Sequence, residues 1–308
     1  MRSGLGGMHH AMPVAERPRL LVLANPAAGS ADDELLGTVC RTLGSQAALD
    51  VAVTTDEDDV EEVMRHRLDD RRLVVVGGDG SLHVAVNALW RLGRAGEVEV
   101  GYVPAGTSNA LGRSLGVPDG VRAASEHVLR GTAQPTDLLE AADGRVIVND
   151  VHTGVGAPPP GWIGVAKRVL GRKAYPLANG VAGLTETGWP VRVTVDGEVV
   201  VDGEQVLTVG LGNGRYVGDD DLLWPDARVD DGAVDVMVTL ASGLGERVAL
   251  ARAMRRGEHV HRDDVITARG RTIRIEGGSG EHNADGVPWP GVDDMTYTVR
   301  HLAWRAVR

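Results

Sequence analysis

The stretch VVVGGDGSLHVAVNAL, from Val74 to Leu89, decides the fold class of this chain. Its apolar run ends abruptly at two glycines, a carboxylate follows at Asp79, and the pattern becomes that of a helix from Ser81 onward. A short apolar run bounded by glycine is typical of a buried strand, and the change of period indicates a helix directly after the loop. The first turn of a helix presents unpaired backbone N–H groups and the positive end of its dipole. The stretch therefore predicts a strand, a loop suited to an anion, and a helix.

The same alternation of strand and helix runs from Arg19 to about Gly131. Apolar runs predict strands at RLLVLANP, LDVAVTT, RLVVVGGDG and VEVGYVPAG, and a helical pattern follows each of them. Strands that alternate with helices at this spacing favour a parallel sheet covered on both faces. In such a sheet ligands bind at the carboxyl ends of the strands, which is where the glycine loops fall. We therefore predict an α/β, Rossmann-like first domain.

After Gln134 the pattern changes to one of strands without helices. VRVTVDGEVVVDGEQVLTVGLGN alternates strictly around Asp196 and Gly197, which is a strong signal for a hairpin. GAVDVMVTL, RTIRIEG and MTYTVRHL continue this alternation, whereas a helical interruption is predicted near Trp162–Leu184. A chain of 308 residues is also longer than the usual size of a domain with a single hydrophobic core. We therefore predict a second, mostly β domain that forms a sandwich.

The composition limits the classes of protein that fit. The net charge of −11 argues against nucleic-acid binding, which requires a basic face. Cys40 is the single cysteine, so a disulfide framework and a cysteine-based metal site are excluded. The first 17 residues lack the apolar core of a signal peptide, and no segment approaches the roughly 18 apolar residues of a membrane span. These features predict a cytoplasmic protein.

Three loops rich in small residues end predicted strands. They are Asn25-Pro26-Ala27-Ala28-Gly29-Ser30, Gly77-Gly78-Asp79-Gly80-Ser81 and Pro104-Ala105-Gly106-Thr107-Ser108-Asn109. Glycine lets a phosphate approach the backbone closely, and the hydroxyls of Ser81 and Thr107 add donors. An ordinary strand-to-helix turn explains one such loop, but three at one edge favour a phosphate site.

The lysine content excludes two common kinds of phosphate site. A P-loop requires a lysine after its last glycine, and a protein kinase requires a lysine on a strand. No lysine precedes Lys167, so both are excluded. The Gly-x-Gly-x-x-Gly of dinucleotide-binding proteins is also missing from the first loop. What remains is a nucleotide site without lysine and with a carboxylate, Asp79, inside the glycine loop.

Four motifs in order resemble those of the diacylglycerol kinase-like lipid kinases: NPAAGS, GGDGS, PAGTSNALGRSLGVP and WPDARVDDGAVDVMV. That family includes sphingosine and ceramide kinases and is distantly related to NAD kinases. Residues 1–17 are expected to form a disordered tail, and the resemblance runs from about Leu20 to Val287. It further implies a nucleotide-binding α/β domain over 18–133, to which 291–308 returns, and a β-sandwich lipid domain over 134–290. The implied activity is ATP- and Mg²⁺-dependent phosphorylation of a lipid hydroxyl, first of all that of diacylglycerol, which gives phosphatidic acid.

The resemblance also implies which residues form the site. Nucleotide binding is expected at Asn25, Pro26, Gly29, Thr55, Gly77, Gly78, Asp79, Gly80, Ser81, Thr107 and Asn109. Asp79 and Asp285 are the candidate catalytic carboxylates. A structural Mg²⁺ is expected on the side chain of Asp231 and the carbonyls of Arg228 and Ala233, since oxygen ligands suit a hard cation. From motif alone, the Asp-Asp-Gly around Asp231 also fits an ordinary turn into a strand.

Three positions depart from the family pattern. His83-Val84 stands where the family usually has Asn-Glu, and Ala110 stands where an Asp is common. Val287 replaces the Glu that accepts the proton of the lipid hydroxyl in bacterial members, so this role would pass to Asp79 or Asp285. A weakly active or non-catalytic relative that binds nucleotide and lipid is therefore an alternative. A kinase for another acceptor, such as NAD, is a further alternative on the same scaffold.

Two charged segments give additional hypotheses. Trp162–Lys173 contains two lysines and two arginines beside apolar residues, and we predict that it makes peripheral contact with the inner face of an anionic membrane. The alternative is a solvated helix packed on the sandwich. The run Asp219–Asp221 is expected to be a solvated acidic loop. The expected partners are a lipid substrate and, for the assembly, a second copy in a homodimer.

Overall fold

The computed structural model describes residues 17–25, 33–154, 188–218, 221–241, 243–254, 256–277, 282–289 and 294–308. Several predictions concern residues outside this set: Pro26, Gly29, the helical interruption near Trp162–Leu184 with its segment Trp162–Lys173, and the pair Asp219 and Asp220. Among the helices of the described part, none is long and apolar enough to cross a membrane.

The first part of the chain forms a parallel sheet with helices. Its elements are β1 (Arg19–Ala24), α1 (Asp33–Gly44), β2 (Ala48–Val53), α2 (Glu57–Arg67), β3 (Arg72–Gly77), α3 (Asp79–Arg91), β4 (Glu99–Pro104), α4 (Ala110–Ser114) and α5 (Val121–Arg130). Strand β1 pairs in parallel with β2 and β3, and β3 pairs in parallel with β4. The central strands β1 and β3 are buried along almost their whole length, which is why their sequences are unbroken apolar runs. The predicted α/β first domain is confirmed.

The second part consists mainly of strands that pair antiparallel. Its elements are β5 (Ala133–Ala141), β6 (Val146–Ile147), β7 (Asp150–Gly154), β8 (Trp189–Val195), β9 (Glu198–Gly212), β10 (Val234–Leu240), α6 (Leu244–Met254), a 3-10 turn (His259–His261), β11 (Val265–Gly270), β12 (Thr272–Glu276), β13 (His282–Ala284), β14 (Val287–Trp289) and β15 (Asp294–Val307). The predicted hairpin is confirmed, because Asp196 and Gly197 connect β8 to β9 with φ of 50° and 89°. These left-handed values are what a two-residue hairpin turn requires.

Apolar side chains form two large cores. One lies between the parallel sheet and its helices and includes Leu21 and Leu89. The other fills the β-rich part and includes Leu211 and Val236. The sequence has no Phe, so aliphatic side chains supply most of this packing. The mostly β second part is therefore confirmed as a fold class, whereas the residue boundaries predicted for the domains stay predictions.

Strand β15 joins the two parts into one sheet. It pairs antiparallel with β12 and β5, and near its end it pairs in parallel with β4. Over the described residues the result is a sheet of 15 strands. The register of β15 against β5 shifts between Arg300 and Trp304, where Leu302 has a φ of 53°. The buried carboxylate of Asp137 accepts a hydrogen bond from the Leu302 N–H at 2.7 Å and holds this irregularity in place.

Candidate active site

The loops that follow β3 and β4 touch each other through backbone atoms. The Ala105 N–H donates to the Gly77 carbonyl at 2.8 Å. A Cβ added to Gly106 would lie 2.5 Å from the Cα of Gly78, so this position accepts only glycine. By contrast, a Cβ added to Gly80 would meet nothing within 4 Å. The fold therefore requires glycine at 106, but it does not require glycine at 80, where the first turn of α3 faces open space.

The carboxylate of Asp79 links the two loops. Asp79 begins α3, and its two oxygens accept hydrogen bonds from the N–H groups of Ala110 at 2.9 Å and Leu111 at 3.2 Å. It thus caps the first turn of α4 from another loop, an arrangement that satisfies donors a helix leaves unpaired. Burial raises the pKa of Asp79 to about 6, although these two hydrogen bonds act to lower it. The negative charges of the Asp285 and Asp150 carboxylates, from the β-rich part, make a smaller contribution to the same rise.

Asn109 stabilises its own loop from within. Its side-chain oxygen accepts from the Gly106 N–H at 3.0 Å, and its amide donates back to the Gly106 carbonyl at 3.1 Å. The Tyr102 hydroxyl also donates to this oxygen, at 3.3 Å. Burial, and then the charge of Asp79, raises the pKa of Tyr102 well above its ordinary value. Both side chains therefore shape the loop, while Thr107 is exposed at its tip.

The described members of the predicted nucleotide site lie along one edge of the sheet. They stand at or just after the carboxyl ends of β1 to β4: Asn25, Thr55, Gly77, Gly78, Asp79, Gly80, Ser81, Thr107 and Asn109. Two of the hydroxyls are directed toward the protein. That of Thr55 donates to Asp59 at 2.6 Å, and that of Ser81 lies 2.4 Å from the position a Cβ on Gly77 would take. The edge brings these residues together, and their roles in binding stay predictions.

Asp285 is a buried carboxylate with four hydrogen-bond donors. It occupies the left-handed first position of the turn between β13 and β14, with a φ of 50°. Its oxygens accept from the N–H groups of Val148 at 2.8 Å, Asn149 at 2.8 Å and Asp150 at 3.0 Å, and Nδ1 of His83 lies 2.7 Å away. Because four donors occupy its oxygens, the geometry gives no support to Asp285 as a proton acceptor. It instead fastens α3 to the start of β7.

One face of α3 carries a row of polar side chains that the sequence analysis did not recognise as a group. Asp79, His83 and Asn87 are four residues apart, so they line one face of the helix. His83 is buried and pairs through Nδ1 with Asp285, while its Nε2 lies 3.3 Å from the amide of Asn87. Asn87 in turn exchanges two hydrogen bonds with the backbone of Val146, at 2.8 and 3.0 Å. The four-residue spacing of polar residues in a helix with an otherwise mostly apolar buried face was the available signal.

Asp150 is a third carboxylate that sequence reasoning did not single out. It is buried, and one oxygen accepts from the side-chain amide of Asn149 at 2.7 Å. Nδ1 of His152 lies 3.0 Å from its other oxygen. Asp79, Asp150 and Asp285 therefore form a group of acidic side chains where the two parts of the chain meet.

The loop predicted to hold a structural Mg²⁺ does not fit the ion. The Asp231 carboxylate forms an ion pair with Arg269, and its other oxygen lies 3.3 Å from the Ala233 N–H that donates to it. The guanidinium of Arg269 thus already neutralises Asp231, which is the only side chain in the predicted set of Mg²⁺ ligands. Within the described ranges, no three His, Cys, Asp or Glu side chains are placed to hold a metal ion. The predicted ligation by Asp231, Arg228 and Ala233 gains no support from this geometry.

Comparisons with known proteins agree with the two-part architecture. Residues 19–141 match the diacylglycerol kinase catalytic domain, and residues 149–298 match the YegS C-terminal NAD kinase beta sandwich-like domain. A "Probable lipid kinase YegS-like" protein of Pseudomonas aeruginosa is 34% identical over 222 residues, which is 71% of each chain. A diacylglycerol kinase of Bacillus subtilis is 27% identical over 208 residues, which is 66% of each chain.

A solved structure has the same fold. The crystal structure of a diacylglycerol kinase from Bacillus anthracis gives a TM-score of 0.70 at 21% identity and covers 95% of this chain and 97% of that one. At this identity the likeness shows the fold alone, whereas the relative from P. aeruginosa and the matched catalytic domain show the kind of enzyme. The chain belongs to the diacylglycerol kinase family of lipid kinases.

Proposed function

We propose that this protein transfers the terminal phosphoryl group of MgATP to a lipid hydroxyl, with diacylglycerol as the first candidate acceptor. The observation that carries the proposal is the contrast between Gly106 and Gly80. The first is required for packing of the two loops, whereas the second faces open space at the beginning of α3. A glycine that the fold does not need, placed on a helix N-terminus, suits a phosphate that approaches the backbone. Main-chain amides then bind the phosphate, as a lysine does in other nucleotide sites.

The carboxylates at the junction of the two parts suit the acceptor side of the reaction. With a pKa of about 6, Asp79 is mostly ionised at neutral pH. Each oxygen of Asp79 accepts one backbone hydrogen bond and the carboxylate also interacts with the Tyr102 hydroxyl, whereas four donors fill the oxygens of Asp285. We therefore assign Asp79 to the lipid hydroxyl and Asp285 to positioning. A general base contributes about 10²- to 10⁴-fold to the rate, and the remainder of phosphoryl transfer depends on positioning and charge.

Val287 favours a second candidate, a nucleotide- and lipid-binding protein with weak activity. Its side chain is aliphatic and stands at the beginning of β14, two residues after Asp285. The variant Val287→Glu separates the two candidates. A gain of about 10²-fold or more in transfer would show a competent fold with an impaired site, whereas no gain would favour Asp79 as the base.

The test of the proposed function is transfer from labelled ATP to diacylglycerol, ceramide and sphingosine in mixed micelles. Gly80→Ala should raise the KM for ATP by about tenfold, since the new methyl group keeps a phosphate from the amides. Gly245→Ala is the matched control, because Gly245 is also the second residue of a helix and also faces open space. Both variants should keep the wild-type melting temperature, since alanine favours the helix. No transfer to any of the lipids, or an unchanged KM in Gly80→Ala, would refute the proposal.

A further inference from the structure

The loop before β10 presents acidic side chains around one arginine. Arg269 on β11 stands directly opposite Asp235 on β10, and its Nε lies 3.7 Å from the Asp235 carboxylate. The same guanidinium forms an ion pair with Asp231 in the loop. The charge of Asp226 acts on both Asp235 and Arg269. One guanidinium therefore pairs with two carboxylates, Asp231 and Asp235.

The Asp235 carboxylate is only partly satisfied by the groups that the structure describes. One oxygen of Asp235 is buried and accepts no hydrogen bond in the described structure. The guanidinium of Arg269 carries a positive charge at neutral pH and lies on the Asp231 carboxylate. Loss of this arginine would leave a negative, partly buried group of oxygens.

Protein groups, independent of any ion, fix the shape of the loop. The Gly232 N–H donates to the buried carboxylate of Asp137 at 2.7 Å, and Arg271 donates to the Gly232 carbonyl at 3.1 Å. Asp230 accepts from Arg308 at 2.8 Å. Gly232 has a φ of 75°, which a glycine adopts without strain. The chain therefore holds this loop in place with direct hydrogen bonds.

We propose that Arg269 supplies at this loop the positive charge that a divalent cation would supply, so that the protein has no Mg²⁺ site there. An arginine suits this role because its planar fork can serve more than one carboxylate and always carries a charge. Removal of the guanidinium exposes carboxylate oxygens, which are the ligands that Mg²⁺ and Ca²⁺ prefer. The inference does not depend on the kinase reaction, since it concerns the loop alone.

The experiment measures melting temperature of the full chain without nucleotide, in 0 to 10 mM MgCl₂ or CaCl₂ at matched ionic strength. The wild type should show no saturable rise. Arg269→Gln should melt lower in the absence of metal and should regain about 3 °C or more with either ion. Arg269→Lys keeps the charge and should behave as the wild type. The double variant Arg269→Gln, Asp231→Asn should lose the effect of the metal.

Arg300→Gln is the matched control. Arg300 forms an ion pair with Glu140 and its side chain is 50% exposed, close to the 44% of Arg269. It should show no response to metal. The proposal is overturned if the wild type is stabilised saturably by Mg²⁺ and Asp231→Asn abolishes this. It is equally overturned if Arg269→Gln folds and neither ion changes its melting temperature. Should Arg269→Gln fail to fold, calorimetric titration of Mg²⁺ into the wild type and Arg269→Lys decides, with binding at the loop refuting the proposal.

Discussion

Replacement of Asp285 by Asn should lower the free energy of unfolding by about 3–4 kcal/mol. The carboxylate accepts from three backbone N–H groups and pairs with His83, at 2.7 to 3.0 Å. An amide keeps one oxygen, which can still accept from Asn149 and Asp150 because both N–H groups reach the same oxygen. Its NH₂ group then faces the Val148 N–H and His83 Nδ1. A buried donor without an acceptor costs about 1–3 kcal/mol, and two of them give the expected loss.

Urea denaturation followed by tryptophan fluorescence and by circular dichroism measures this loss. Asp202→Asn is the control, because Asp202 pairs with Arg192 at 3.1 Å and its side chain is 61% exposed. An exposed pair contributes about 0–1 kcal/mol, so the control should remain close to the wild type. A loss below about 1 kcal/mol in Asp285→Asn would refute the reasoning, since the four hydrogen bonds could not then fasten α3 to the β-rich part.

Three further changes test other parts of the structure. Because the folded-state pKa of Asp79 is about 6, above its ordinary 3.8, the native protein binds this proton more tightly than the unfolded chain does. The free energy of unfolding should therefore fall by up to about 3 kcal/mol as pH rises from about 4 to about 6. In urea denaturation across that range, Asp79→Asn should lack this fall. If the free energy of unfolding changed equally with pH in the wild type and in Asp79→Asn, the proton on Asp79 would not be its cause. Gly212→Ala should cost about 3 kcal/mol or more by thermal unfolding, because the added Cβ would lie 2.0 Å from the ring of Trp224, whereas a loss within 1 kcal/mol would show that the ring can move. Leu302→Gly should be neutral or stabilising by up to about 1 kcal/mol in the same assay, since Leu302 has a φ of 53° and a 41% exposed side chain; a loss above about 2 kcal/mol would mean that the side chain packs.

Local signals predicted the frame of the fold well. Buried parallel strands leave unbroken apolar runs, so β1 and β3 were visible from composition alone. The turn at Asp196-Gly197 was predicted because few other residue pairs adopt the backbone it needs. Helix α6 was missed, since its apolar and polar residues do not separate into two faces and so give no helical period.

Contacts between distant parts of the chain could not be predicted in the same way. Asp285 meets groups that lie 135 to 202 residues away along the sequence, so its role as a fastening carboxylate carries no local signature. The sequence alone suggested an acid–base group there. At Asp231 the sequence likewise shows oxygen ligands of the kind that a cation requires. The positive charge that pairs with Asp231 in the structure comes from Arg269, which lies 38 residues later on the strand paired with β10.

The position of β15 in the sheet has a consequence for the order in which the protein is made. Among the described strands it is the one that lies between β12 and β4, yet a ribosome synthesises it after all the others. Among the described strands, a nascent chain that pauses before Asp294 thus carries the parallel strands that end at β4, the antiparallel strands that end at β12 and the separate pair of β5 and β6, each with an open edge at which another polypeptide could pair. The sheet can therefore be completed only after this strand has been translated.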